Sequence, residues 1–341
     1  MASLAVKYRP KTWNDIVEQS LVVSLVRTMC TSATLPNRNF LFIGSQGVGK
    51  TTTARIIANT LNEGKGEPIE LDAASHGSTE EIRQIVSQAS TFPVGMKYKV
   101  FILDEVHVLS GQAWQVLLKT LEESPAKSVF VLCTTNPEKI PATILSRVQT
   151  FKLSKISTKG IQSRLKYVIE QENKEGQNIT YDEDALNYIA RLSNGGMRDS
   201  LTNLDRCLAY SKEVTLNNVT EALDLPDYSA YFSLLNALVK KDNAAVTSIV
   251  DEVYNSGTNF VKWFEGFHSF LCNIIKFVYM KDISATMIPS QYAEKLSGYT
   301  EAHAVICVKL APIILSMNKD LRTTQYQIET AMTYLLSPVK K

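Results

Sequence analysis

The pattern of apolar positions divides the chain into two regimes. Over the first ~150 residues, short apolar runs alternate with stretches whose apolar residues recur at helical spacing, as a parallel α/β sheet requires. Strands are predicted at Phe40–Ile43, Ile69–Leu71, Val100–Leu103 and Val129–Leu132, with a fifth at Gln149–Leu153. The third and fourth are almost wholly apolar, which fits strands covered by helices on both faces. Between them, Ser110–Glu123 carries Ala113, Val116, Leu117 and Leu121 at helical spacing. From about Ser157 onward no strand is expected. Ile161–Gln171, Asp182–Leu192 and Met197–Tyr210 read as amphipathic helices, punctuated by Gly176 and by Gly195-Gly196. A break near Ser211–Thr220 leads to a helical block, Ala230–Leu336, with turns predicted at Asn255-Ser256-Gly257, Pro289 and Pro312. No internal repeat or low-complexity segment interrupts this order.

Composition adds bounds rather than detail. A chain of 341 residues has room for two or three domains. Apolar and charged fractions of 45% and 21% are ordinary for a globular protein. A net charge of +2 gives no bulk attraction to nucleic acid, so any DNA contact must rest on local placement of charge. The five cysteines (Cys30, Cys133, Cys207, Cys272, Cys307) show no CxxC pair and no histidine at ligand spacing. They read as small core residues in a reducing compartment. The first 30 residues lack the features of a secretory signal. The most apolar late stretch, Ala304–Leu315, contains Lys309 and Pro312 and is too short to span a bilayer. A soluble, cytoplasmic protein with no membrane partner is expected.

Gly44-Ser45-Gln46-Gly47-Val48-Gly49-Lys50-Thr51 matches the phosphate-binding pattern GxxxxGK[ST] in full. It follows a predicted strand and opens a predicted helix, Thr52–Leu61, the context that turns a pattern into a site. The glycines let backbone N–H groups turn around phosphates, and the helix N-terminus adds favourable dipole. Lys50 is then expected on the β- and γ-phosphates of ATP and Thr51 on Mg²⁺. Val48 and Thr52 complete the cradle. Val100–Leu103 ends in Asp104-Glu105, which sets Asp104 at the sheet's carboxyl edge to hold Mg²⁺ and leaves Glu105 to orient or deprotonate water. The guanine-reading NKxD is absent from the sequence, and an apolar strand closed by two acids suits ATP hydrolysis coupled to conformational work.

With these motifs in place, the sequence resembles the AAA+ clamp-loader family, in particular the gamma/tau group of bacterial DNA polymerase III. The matching stretches are Lys7–Trp13, the phosphate loop, Glu70–Ser75, Tyr98–His107, Leu117–Pro125, Thr134–Pro137, Leu145–Arg147 and Gly195–Leu201. The helical remainder is similar only loosely, most clearly at Ala331–Leu336. The resemblance implies an α/β fold: an AAA+ P-loop core with a parallel sheet at 1–155, a small helical lid at 156–212 and an all-helical, oligomerising collar at 213–341. It implies that Thr135 is sensor 1, Arg198 is sensor 2, and Arg147 is an arginine finger offered to a neighbour's ATP. It also implies that the stretch containing Arg9 and Pro10 lies against adenine. From the residues alone, Thr135 equally starts a loop, and Arg147 and Arg198 equally serve as a surface and a salt-bridged arginine.

Two departures stand out. The group's four-cysteine zinc module is replaced by Asn62–Pro68, without cysteine, so zinc is not expected; and its SRC motif reads Ser146-Arg147-Val148. A divergent or streamlined relative is inferred, bacterial or virus-encoded, ending at the collar without a tau-type extension. The implied partners are a sliding clamp, primer-template DNA, and other loader subunits or copies of this chain in a five-membered ring. Ser78–Ile85 begins with a capping box, Ser78 facing Glu81. Arg83 on that helix and Lys119 on the helix after Asp104-Glu105 are the implied DNA contacts, with solvated helix faces as the alternative. Phe92-Pro93-Val94 is the implied clamp contact, with a core position as the alternative for Phe92. Two other functions remain open: another AAA+ DNA motor, such as a branch-migration helicase or helicase loader, and a loader subunit that does not hydrolyse ATP. Retention of Lys50, Thr51, Asp104, Glu105 and Arg147 argues against the last, and the absence of a winged-helix pattern argues against the helicase.

Overall fold

A computed structural model of the chain describes residues 3–32, 35, 38–123, 125, 127–225 and 228–336; Ser124 of the Leu117–Pro125 stretch lies outside them. The chain forms two compact units, Met1–Thr180 with Ile189–Glu213, and Tyr181–Tyr188 with Val214–Lys341.

In the first unit, α1 (Leu4–Lys7) and α2 (Ser20–Thr31) lead into β1 (Asn39–Ile43) and α3 (Lys50–Leu61). There follow β2 (Ile69–Asp72), α4 (Ala73–His76), α5 (Thr79–Ala89), β3 (Lys99–Asp104) and α6 (Gly111–Glu123). Then come β4 (Ser128–Thr134), α7 (Ala142–Leu145) and β5 (Gln149–Lys152). The five strands are parallel in the order β2-β3-β4-β1-β5. Alternate side chains of each central strand enter different cores. Phe40, Phe42, Val100, Ile102, Val129 and Val131 pack with Ala54 and Ile57 of α3 on one face. Leu41, Phe101, Leu103, Phe130 and Leu132 pack with Ile82 of α5 and Leu117 and Leu121 of α6 on the other. That two-sided burial is why these strands read as continuous apolar runs. The capping box at Ser78 and Glu81 is formed and starts α5.

The chain continues through α8 (Thr158–Lys174), β6 (Thr180–Tyr181), α9 (Glu183–Leu192), α10 (Met197–Tyr210) and β7 (Glu213–Val214). The expectation of no strands after Ser157 is thus corrected. Segments of two residues are too short to show an alternating pattern. Buried Leu165 and Ile169 of α8 and Leu201 and Leu204 of α10 form the apolar stripes of this helical part.

The N-terminal arm is fastened onto those helices. The Leu4 N–H donates to Asp205 Oδ2 at 2.7 Å, Lys7 Nζ to Glu172 Oε1 at 2.7 Å, and the Tyr8 hydroxyl to the same oxygen at 2.8 Å. Lys7 also meets Glu175, and Arg164 Nη2 donates to the Tyr8 carbonyl at 3.1 Å. Burial opposes the charge on Glu172, but hydrogen bonds from Lys7 and Tyr8 outweigh it and hold the carboxyl below its usual range. Burial and the bond to Glu172 push the Tyr8 phenol up to about 12, so it stays a neutral donor.

The second unit is helical: α11 (Leu216–Ala222), α12 (Tyr228–Lys240), α13 (Asn243–Asn255), α14 (Phe260–Met280), α15 (Ala293–Ser297), α16 (Glu301–Leu321) and α17 (Gln327–Leu336). Two expectations are corrected here. The break near Ser211–Thr220 contains the start of α11, which buries only Val219 and so has too little periodicity to be seen. The predicted turn at Pro312 lies inside α16. Its ring faces solvent, while Leu310 and Ile314 on either side are buried, so packing carries the helix past the missing N–H. Cys30, Cys133, Cys207 and Cys307 are buried as expected, whereas Cys272 is only partly so.

Aromatic rings dominate this core. Tyr231 sits 4.8 Å from Trp263, and Phe232 4.9 Å from Phe270, centroid to centroid. Gly266 of α14 faces Tyr231: a Cβ there would lie 2.1 Å from its hydroxyl, which is bonded to the Trp263 carbonyl at 3.1 Å.

Two stability predictions follow from these contacts. Gly266→Ala normally gains about 1 kcal/mol in a helix, but here it should lose about 1–3 kcal/mol by overpacking. Denaturant unfolding of the single and the Gly266→Ala/Tyr231→Phe double variant checks this, with the double variant recovering part of the loss. Glu172→Gln should cost about 1.5–3 kcal/mol at pH 7, the range for hydrogen bonds to a charged group. Because the folded pKa is lowered, the ionised carboxylate stabilises the fold above the unfolded pKa and loses this effect as pH falls through the folded one. The gap between variant and wild type should therefore close on acidification, measured as unfolding midpoints across pH.

Candidate nucleotide site

The phosphate loop joins the end of β1 to the start of α3, which begins at Lys50, two residues earlier than its sequence pattern suggests. Gly47 and Gly49 have φ of +74° and +107°, values that side-chain-bearing residues rarely adopt. Gly44 plays a different part. Its absent Cβ would lie 2.7 Å from the Leu153 carbonyl, so it is small to let the loop pass the end of β5, and it does not line the cavity described below. Lys50 is 6% exposed, and its Nζ donates to the carbonyls of Gly44 and Ser45 at 2.9 and 3.0 Å. The first residue of α10 closes over the loop, the Met197 N–H donating to the Gly47 carbonyl at 3.0 Å.

Strand order supplies the other half. β4 lies between β1 and β3, so the loop after β1, Thr134-Thr135 at the end of β4 and Asp104-Glu105 at the end of β3 share one carboxyl edge. The Thr51 hydroxyl donates to Asp104 Oδ2. The Thr135 hydroxyl donates to Glu105 Oε2 at 3.1 Å, and His107 Nδ1 stands 3.3 Å from that same oxygen. Glu105 holds a left-handed φ of +49°. Thr51 and Asp104 present adjacent hard oxygens. Among the described residues no group of three or more His, Cys, Asp or Glu side chains is placed to hold a metal. A cation at this pair must complete its shell with phosphate oxygens and water, which is how Mg²⁺ binds.

These residues open onto a cavity of about 320 Å³, in the size range of small-molecule sites. Its lining includes the loop residues Gly47, Val48, Gly49, Lys50, Thr51 and Thr52, together with Asp104, Glu105 and Arg198. Tyr8, Arg9, Pro10, Ile16, Val17, Ile156 and Leu201 also line it, a mostly apolar set suited to a base. Ile16, Val17, Ile156 and Arg164 carry no local motif; Gln46 lies within the phosphate loop and Leu201 ends the Gly195–Leu201 stretch, but the sequence alone assigns neither a role at the site. Only folding brings the N-terminal arm, the loop after β5 and the lid helices together.

The remaining predicted residues lie elsewhere. Arg147, past α7, pairs with Glu122 of α6, and its Nη1 donates to the Thr143 carbonyl at 2.6 Å and to Ser146 Oγ at 2.9 Å. It does not line the cavity of its own chain. Arg83 pairs with Glu80 at 3.3 Å and Lys119 with Glu123 at 3.8 Å, all four exposed. Phe92 and Val94 are 71% and 88% exposed and Pro93 is half-buried, so the core alternative for Phe92 is overturned.

Comparisons with known proteins agree with this geometry. The family described as DNA polymerase III, delta subunit, matches residues 67–157, and the DNA polymerase III clamp loader subunit ATPase lid domain matches residues 160–213. The DNA polymerase III subunit gamma of Buchnera aphidicola subsp. Acyrthosiphon pisum is 33% identical, over 98% of this chain and 99% of its own length. That of Buchnera aphidicola subsp. Schizaphis graminum is 36% identical over 74% of each. The gamma/tau subunit of Mycoplasma genitalium is 32% identical over 89% of this chain, which spans 54% of that relative's length. Among solved structures, the Thermotoga maritima RuvB Holliday junction branch migration motor aligns with a TM-score of 0.51 at 17% identity, over 71% of this chain and 85% of that one. At that identity the likeness bears on the fold alone, an AAA+ core. Sequence relatives covering more than two thirds of both chains decide the family: this chain belongs to the DNA polymerase III gamma/tau clamp-loader subunits.

Proposed function

We propose that this chain is the ATP-hydrolysing motor that loads a sliding clamp onto primer-template DNA, acting with other loader subunits or copies of itself. The observation that carries this reading is the convergence of Lys50, Thr51, Asp104, Glu105 and Arg198 on one cavity roofed by α10. Lys50 and the loop N–H groups bind the β- and γ-phosphates, while Tyr8, Arg9 and Pro10 hold the base. Thr51 and Asp104 hold Mg²⁺, which when bound neutralises charge on the phosphate oxygens. Glu105 takes a proton from the attacking water, with Thr135 fixing the carboxylate. Arg198, on the helix bonded to the loop, carries the state of the γ-phosphate into the lid.

Arg147 does not line this cavity and is assigned to the site of a neighbouring subunit. Hydrolysis then requires assembly, and clamp opening and DNA engagement gain control over it. Arg83 and Lys119 meet DNA backbone phosphates, and exposed Phe92-Pro93-Val94 meets the clamp. We divide the chain accordingly into a core (1–155), a lid (156–212) and a collar (213–341). Among the described residues no single helix is long and apolar enough to cross a membrane, and we place the protein's work in the cytoplasm, on replicating DNA.

The test is ATPase assay of the assembled complex with its cognate clamp and primed DNA. Stimulation by clamp plus DNA is expected. Arg147→Ala should keep ATP affinity within about twofold while losing roughly 10³-fold of the stimulated rate, the lower range for an arginine finger. Unimpaired stimulation in that variant would remove the assignment in trans, and absence of stimulation in the wild type would remove clamp loading.

A further inference from the structure

We infer that His107 is a positioning residue for the general base, holding Glu105 by one oxygen so that the other faces water. The inference rests on the reading of Glu105 as base and concerns a side chain that the nucleotide motifs leave unassigned.

Glu105 is the least constrained of the site's acids by covalent structure, because its side chain rotates about three bonds. Its backbone nevertheless takes a left-handed φ of +49°, a costly conformation for a residue with a Cβ. Surrounding contacts must therefore hold it. Two groups meet Glu105 Oε2: the Thr135 hydroxyl donates to it at 3.1 Å, and His107 Nδ1 lies within ion-pair distance at 3.3 Å. Among the described residues no donor meets Oε1, which leaves that oxygen to accept the proton of the attacking water.

The histidine is itself held. Its side chain is 12% exposed, and Nδ1 also stands 3.3 Å from the hydroxyl of wholly buried Thr134. That hydroxyl in turn accepts the Asn136 N–H at 3.0 Å, which fixes Thr134 to the loop after β4. A carboxylate oxygen can only accept, so the inference requires the tautomer with the proton on Nδ1, the Thr134 hydroxyl oxygen then lying beside the same N–H. The ring donates from Nδ1 whether neutral or charged, and its role is geometric. Thr135 and His107 thus clamp Oε2 from the ends of two different strands, β4 and β3, and tie the base to the sheet edge that carries the phosphates.

The experiment uses the assembled complex with cognate clamp and primed DNA, comparing His107→Leu, His107→Asn, Glu105→Gln and Glu105→Gln/His107→Leu. Leucine keeps bulk but removes the donor; the asparagine amide can place one near the position of Nδ1. The expected result is a fall in kcat of about tenfold for His107→Leu, as for a displaced general base, with KM for ATP and nucleotide affinity within about twofold. His107→Asn should stay within about threefold of wild type, and the double variant should be no slower than Glu105→Gln. Wild-type kcat in His107→Leu, an equal loss in His107→Asn, or a further multiplicative loss in the Glu105→Gln background would overturn the inference. Normal turnover in Glu105→Gln would remove the base reading and this inference with it. A slow Glu105→Gln beside an unimpaired His107→Leu would remove this inference alone.

Discussion

The site depends on the burial of three parallel strands on both faces. β1, β3 and β4 cannot slip or tilt without exposing Phe40, Phe101 or Phe130, each fully buried. Because all three run the same way, their carboxyl ends are held at one edge in fixed register, Asn39 opposite Phe130 and Lys99 opposite Ser128. The polar residues that follow each strand therefore need no long-range contacts of their own to meet. Thr51 reaches Asp104 across the intervening β4, and Thr135 at the end of β4 reaches Glu105. Each such hydrogen bond to a carboxylate contributes only about 1.5–3 kcal/mol on its own, far less than the apolar burial that brings its partners together.

Against this rigid edge stand parts with weaker attachments. The lid touches the phosphate loop through Met197 and Gly47, where the missing Cβ of Gly47 admits Gly196 at close range. The arm that helps line the cavity is fastened to α8 and α10 by Leu4, Lys7 and Tyr8. A nucleotide in the cavity contacts loop, arm and lid together, so its phosphate state can bias the lid through differential contacts. The role proposed for Arg147 extends the same logic to the next subunit. In this chain its charge is satisfied by Glu122, Thr143 and Ser146. Under that proposal these contacts are exchanged for phosphate oxygens of a neighbour's nucleotide.

How much of this was legible in the sequence follows the same division. Two-sided burial writes itself as apolar runs in β1, β3 and β4, while the half-exposed edge strands β2 and β5 and helix α6 show alternating or helical spacing; all are legible to within about two residues. Local chemistry is equally plain, and the loop, Asp104-Glu105 and Arg198 were brought to one cavity. What escaped was set by tertiary placement. Gly44 was assigned to phosphate, yet its smallness serves the passage of the loop beside Leu153. Pro312 was given a turn because intrinsic preference says so, but buried neighbours on both sides keep α16 continuous. Ile16 and Val17 look like ordinary core positions until the arm and lid fold over the loop. His107 was part of a matching stretch, but only the geometry after β3 and β4 gives it a partner.

The central claim is that triphosphate held by Lys50 and Thr51 is cleaved only when another subunit completes the site. The most direct measurement is turnover per subunit as a function of subunit concentration, at saturating ATP with cognate clamp and primed DNA present. The account predicts negligible turnover for monomers and a steep rise that tracks the assembled fraction measured in parallel. A rate per subunit that stays constant from monomer to complex would contradict it.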